Sequence, residues 1–335
     1  MSVSEDEWQQ AVELLAKADR VALACHVTPD GDALGSMLAL GIALRSRGVD
    51  VVASWGGTPF EVPASYSYLP ALDLLVPPED FPAAPGLLVT LDSASPNRLG
   101  SLQDRLATAG CTLVVDHHLT NPGYGWVNLV DGGAAATVVL VAELLDRLGV
   151  VLTSELAIPL YTGLVTDTGS FRYRSTTPAV HELAARLLGT GFRHDLVTRS
   201  IYDTAPFGWV QLLGRACSRA RLEPDAVGGL GLVWTVVDPD DLASAGLGLA
   251  DVEGVVDVLR STKEAEVAAV VKADPTGGGW VVSTRSRDSV DVGAVCAALG
   301  GGGHFSAAGF SATAEPAQIL DRLRSALALA PHVSS

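Results

Sequence analysis

Three short apolar runs early in the chain each end on a turn carrying Asp or His. Val21–Cys25 runs into His26, Asp30 and Asp32; Leu87–Leu91 into Asp92; and Cys111–Val115 into Asp116, His117 and His118. The runs are unbroken and rich in aliphatic residues, as strands buried on both faces are. Val49–Ser54 is a fourth run of the same kind. Helical patterns follow near 33–47, 136–148, 154–166 and 178–189. Alternating strands and helices imply an α/β domain with a parallel sheet. Ligands of such sheets bind at the carboxyl ends of the strands, where these Asp and His residues fall.

The grammar changes beyond about residue 191. A helical connector is expected through 206–219, then strands near 230–237, 265–272 and 279–285 and helices near 251–260, 291–299 and 315–328. Glycine-rich turns interrupt them at Gly277–Gly279 and Gly300–Gly303. The expected organisation is a catalytic domain over 1–190, a connector over 191–215 and a smaller α+β domain over 216–335. Two domains suit 335 residues, because single cores rarely grow past about 250–300 residues.

Composition removes other classes. Lys and Arg number 22 against 38 Asp and Glu, a net charge of −16, which argues against a broad basic face for long duplex nucleic acid. The acidic start MSVSEDEWQQ lacks the order of a signal peptide, and no apolar stretch reaches the ~20 residues of a membrane helix. A cytoplasmic protein is the expectation. Cys25, Cys111, Cys217 and Cys296 are far apart and form no CxxC pair, so they read as reduced thiols in or near the core. There is no GxSxG elbow, P-loop or complete GxGxxG.

A lone Asp after a strand is often a turn or cap residue. The set is harder to explain that way. With Asp167 in YTGLVTDTGSFRY, several carboxylates and histidines converge on one edge, and carboxylates gathered without cations would repel each other by several kcal/mol. Asp oxygen and His nitrogen without Cys suit Mn²⁺ or Mg²⁺ better than structural zinc. His181, His194 and His332 have no such context and read as surface or packing residues.

HVTPDGDALGS, Asp92, the triplet DHH at 116–118, the Asp167 segment and GGGHFSAAG at 301–309 together resemble the DHH phosphoesterases with their DHH-associated C-terminal domain. The resemblance spans nearly the whole chain. It is nearest to the branch acting on nanoRNA, 3′-phosphoadenosine 5′-phosphate (PAP) and dinucleotides. It implies two Mn²⁺, or Mg²⁺ or another divalent cation: one held by His26 and Asp30, the other by Asp32, His117 and Asp167, with Asp92 between them. It further implies that His118 lies beside the substrate phosphate and that Asp116 orients the histidine pair.

Arg285, Ser286, Gly302, Gly303 and His304 would bind the far end of the nucleotide, and Arg98 is a further phosphate candidate. The implied activity is hydrolysis of short oligoribonucleotides and PAP by metal-activated water, with no covalent intermediate. A cyclic-dinucleotide phosphodiesterase shares the same active-site residues. An inorganic pyrophosphatase and a non-enzymatic nucleotide sensor fit the motifs less well. Family habit also allows a homodimer.

Overall fold

The computed structural model describes residues 3–275, 278–287 and 289–330. His332 and Gly277 lie outside them. The chain divides into two compact units, with the boundary between Thr204 and Ala205.

The first unit contains α1 (Glu5–Lys17), β1 (Arg20–Cys25), α2 (Gly31–Ser46), β2 (Asp50–Trp55), β3 (Leu87–Leu91), the short α3 (Arg105–Thr108), β4 (Cys111–Asp116), β5 (Val127–Val130), α4 (Thr137–Arg147), α5 (Ser154–Asp167), α6 (Pro178–Leu188) and α7 (His194–Tyr202). Its strands form one parallel sheet in the order β2-β1-β3-β4-β5. Val21, Leu23 and Cys25 of β1 pack with residues of α2, α4 and α5, while Ala22 and Ala24 pack with Phe81, Leu99 and Leu102. Both faces are therefore covered, which explains why the runs lack polar alternation.

The second unit contains α8 (Phe207–Arg219), β6 (Arg221–Glu223), the short α9 (Ala226–Gly229), β7 (Leu232–Val237), α10 (Pro239–Ala245), α11 (Val255–Leu259), β8 (Val267–Asp274), β9 (Gly279–Ser286), α12 (Val292–Ala298), β10 (Gly302–Gly303), β11 (Ala307–Ala312) and α13 (Pro316–Ala328). Its strands form a mixed sheet in the order β10-β11-β9-β8-β7-β6, in which only β7 and β8 run parallel. Among the described residues, no helix is long and apolar enough to cross a membrane.

Some elements escape the sequence patterns. β5 is four residues long, and β6 and β10 are shorter still, too short for a periodicity to show. The helix α7 lies within the stretch 191–215 expected to be a helical connector. All four cysteines are free, as expected, but Cys217 is exposed rather than near the core.

Helices α2 and α5 meet at glycines. A Cβ on Gly35 would lie 2.4 Å from the Pro159 carbonyl oxygen, and one on Gly163 would lie 2.8 Å from Asp32 Oδ1. This close seam sets Asp32, near the start of α2, beside Asp167, at the end of α5. Gly35→Ala is expected to destabilise the first unit by about 2 kcal/mol: overpacking against backbone costs up to ~3 kcal/mol and Ala regains ~1 kcal/mol of helix propensity. Urea unfolding of the variant checks this; unchanged stability would mean the seam opens at little cost.

Candidate metal centre

Parallel strands deliver their carboxyl ends to one edge. His26 follows β1, Asp92 follows β3, and Asp116 closes β4 ahead of His117 and His118. Asp92 has a φ of 53°, a left-handed conformation that Asp tolerates better than most residues. Asp30 is the N-cap of α2, its Oδ1 accepting the amides of Asp32 and Ala33 at 3.0 Å each. Asp167 is the last residue of α5.

These side chains converge. His26 Nε2 lies 3.4 Å from Asp92 Oδ2 and 3.7 Å from Asp30 Oδ2. His117 Nε2 lies 3.2 Å from Asp167 Oδ2, 3.6 Å from Asp92 Oδ1 and 3.8 Å from Asp32 Oδ2. One ligand atom from each of His26, Asp30 and Asp92 lies within 4.8 Å of the others, and the same holds for Asp32, Asp92 and His117. Asp92 thus belongs to both groups, with one oxygen towards each histidine. Asp116, Asp92 and His118 form a third such group.

The histidines are oriented from behind. His26 Nδ1 contacts the Val27 carbonyl at 2.8 Å, and His117 Nδ1 contacts the Ala134 carbonyl at 3.2 Å. A carbonyl can only accept, so each Nδ1 carries the proton and each Nε2 is directed at the carboxylates. That arrangement is typical of metal-ligating imidazoles. His118 Nδ1 meets Asp116 Oδ1 at 2.7 Å, and Asn121 Nδ2 donates to Asp116 Oδ2 at 2.6 Å. Arg98 is exposed, with Nη2 3.3 Å from His26 Nδ1.

The electrostatics are those of a site built for positive charge. Asp32 and Asp116 are fully buried and Asp92 is 2% exposed. Burial, with Asp92 and Asp167 nearby, raises the Asp32 pKa. Burial also lifts Asp167 to about 6, despite its contact with His117. Burial opposes charge on His26, but hydrogen bonding to Asp30 and Asp92 outweighs it and raises the ring to about 10. His117 is likewise raised, with Asp167 prevailing over burial. Burial pushes Asp92 up, yet the surrounding histidines hold it well below the usual carboxylate range. Protons on the two imidazoles thus offset part of the carboxylate charge, at the place where divalent cations would do so. The donor set, oxygen and nitrogen without thiolate, fits hard or borderline divalent cations.

Three residues of the centre carry no signal in the sequence. Thr137 donates its hydroxyl to Asp92 Oδ1 at 3.0 Å, Asn121 holds Asp116, and Tyr124 Oη donates to the Ser93 carbonyl at 3.0 Å. Only a fold brings them to the strand ends.

In the second unit, Arg285 Nε lies 3.1 Å from Asp257 Oδ1 and its Nη2 3.4 Å from Glu253 Oε1. Ser286 is buried on β9, its hydroxyl without a hydrogen-bond partner among the described residues. Gly302 and Gly303 form β10 against Gly309 and Ala308, and a tight turn links the His304 amide to the Ala307 carbonyl at 2.8 Å. A Cβ on Gly303 would meet the Ala307 carbonyl oxygen at 2.5 Å, whereas one on Gly302 meets nothing within 4 Å. The strand pairing therefore requires glycine at 303 and leaves 302 open. His181 stacks on Phe171 at 5.3 Å and His194 packs near Tyr161 at 6.3 Å.

Residues 20–164 match the model of the DHH family N-terminal domain, and residues 241–330 match that of the DHHA1 domain. The chain is 35% identical over 289 residues to the bifunctional oligoribonuclease and PAP phosphatase NrnA of Thermus thermophilus, covering 86% of this chain and 83% of that one. It is 26% identical over 291 residues to the probable bifunctional oligoribonuclease and PAP phosphatase NrnA of Streptococcus mutans, covering 87% and 89%. The fold matches the crystal structure of an exopolyphosphatase-related protein from Bacteroides fragilis with a TM-score of 0.87 at 22% identity, over 97% of this chain and 96% of that one.

The raised pKa values of His26 and His117 set a pH dependence. Both rings hold protons at neutral pH in the metal-free protein and must shed them to ligate through Nε2. Cation binding is therefore expected to release roughly two protons and to weaken as pH falls from 8 to 6. Calorimetry in buffers of different ionisation heat counts the protons; none released would contradict the ligand assignment.

Proposed function

The chain belongs to the DHH family, and on that premise we propose that it hydrolyses short oligoribonucleotides and PAP at a centre holding two divalent cations, Mn²⁺ first among them. One observation carries the reading: the Asp92 carboxylate presents Oδ2 to His26 at 3.4 Å and Oδ1 to His117 at 3.6 Å, joining two half-sites into one. His26 and Asp30 would hold one cation, and Asp32, His117 and Asp167 the other. Six protein ligands exceed what one open catalytic ion takes, whereas two ions sharing a carboxylate use them all.

Bound there, the cations supply charge stabilisation at the phosphoryl group and lower the pKa of a water. The chain's own residues do the rest. The Nδ1–H of His118 donates to Asp116, which Asn121 fixes in turn, so the ring is held with Nε2 away from Asp116. There the doubly protonated ring would donate Nε2–H to a phosphoryl oxygen. Arg98, exposed beside His26, would pair with a further phosphate oxygen. Asp92 and the buried carboxylates hold the positive charge in place and exclude an anion until that charge is present.

In the second unit, Arg285, Ser286, Gly302, Gly303 and His304 would recognise the nucleotide. The open face at Gly302 allows an anion to approach backbone N–H groups, and Asp257 and Glu253 hold the Arg285 guanidinium in one orientation. The acidic balance and the low aromatic content of 6% support short substrates over long ones.

A panel with Mn²⁺ tests the reading: a dinucleotide, a pentanucleotide, PAP, cyclic di-AMP and pyrophosphate. The first three are expected to turn over. Hydrolysis of cyclic di-AMP or pyrophosphate alone would contradict it. Asp92→Ala is expected to lower turnover of every substrate by at least ~10²–10³-fold with the fold intact by circular dichroism. Retained activity would remove Asp92 from its place between the cations.

A further inference from the structure

Helix α4 begins without a cap of its own, because its N-cap residue is Ala136. Asp32, more than a hundred residues earlier, takes that role. Its Oδ2 accepts the Thr137 amide at 2.6 Å and its Oδ1 the Val138 amide at 2.9 Å. The Thr137 hydroxyl donates to Asp92 Oδ1 at 3.0 Å. Thr137 is fully buried. One residue thus bonds a carboxylate of α2 through its amide and the carboxylate that follows β3 through its hydroxyl.

We propose that Thr137 is a positioning residue of the metal centre, whose hydroxyl sets the rotation of the Asp92 carboxylate so that its two oxygens face different half-sites. The proposal rests on the two-cation reading above. A carboxylate can serve two ions only if its plane contains both directions, and its outer torsion is soft. In the metal-free protein His26 and His117 help to hold that plane. Once they ligate cations they cease to donate to Asp92, and the Thr137 hydroxyl, which is no ligand, still does.

The amide arm acts on Asp32. Two N–H donors at the start of an eleven-residue helix hold one oxygen each and so fix the plane of this carboxylate. Restraints of this kind behind a metal ligand are typically worth about 10–100-fold in metal affinity or activity.

Mn²⁺ titration followed by electron paramagnetic resonance tests the proposal on the full chain, with Thr137→Val, Thr137→Ser and Thr137→Ala compared with the wild type. Valine keeps the shape and the amide but removes the hydroxyl. It is expected to weaken binding of at least one ion by about 10–100-fold and to lower kcat more than it raises KM. Serine restores the hydroxyl and is expected to stay within about threefold of wild type. If valine proves too strained to fold, alanine removes the same hydroxyl without added bulk and is expected to show the same loss. Two ions bound with wild-type affinity in a folded variant lacking the hydroxyl would overturn the proposal while leaving the two-cation reading standing. A wild-type protein that takes up no divalent cation would overturn both.

Discussion

Mutual repulsion among the carboxylates at one edge of a parallel sheet is the constraint that the first unit is built to meet. Asp30, Asp32, Asp92 and Asp167 surround His26 and His117, and two of the four are almost wholly removed from water. Like charges a few ångströms apart in a poorly solvated site cost several kcal/mol unless something positive intervenes. The chain supplies part of the answer itself. The start of α2 donates amides to Asp30, the start of α4 donates amides to Asp32, and the histidines turn Nε2 inward. On the proposed reading, divalent cations would complete it.

The helices carry as much of this design as the sheet. Asp32 reaches both α4 and Asp167 only because α2 lies against α5 through Gly35 and Gly163, where no side chain would fit. The sheet sets which strand ends meet; the glycine seam and the start of α4 set how closely.

Much of this was legible in the residues. Unbroken aliphatic runs marked β1 to β4 because both faces of the sheet are covered, and a one-turn reach from each strand end placed His26, Asp92 and Asp116 at a common edge. Thr137 and Asn121 were not legible. Each is an ordinary polar residue locally, and its partner lies on another element: 45 residues away in sequence for Thr137 and Asp92. β10 and β11 were hidden for another reason. In GGGHFSAAG the glycines read as a phosphate-binding turn, and that reading hid the pairing of β10 with β11, which also requires glycine at 303. Arg285 stood out as a cation for phosphate, but nothing near it in sequence announced Asp257 and Glu253.

The charge of −16 takes on a local meaning. Part of the excess is concentrated at the strand ends, where the proposed cations would turn a site that disfavours anions into one that binds phosphate. Anomalous diffraction from crystals grown with Mn²⁺, collected at the manganese edge, tests this most directly. Two peaks are expected, one against His26 and Asp30 and one against Asp32, His117 and Asp167, with Asp92 between them. A single peak, or peaks away from Asp92, would contradict it.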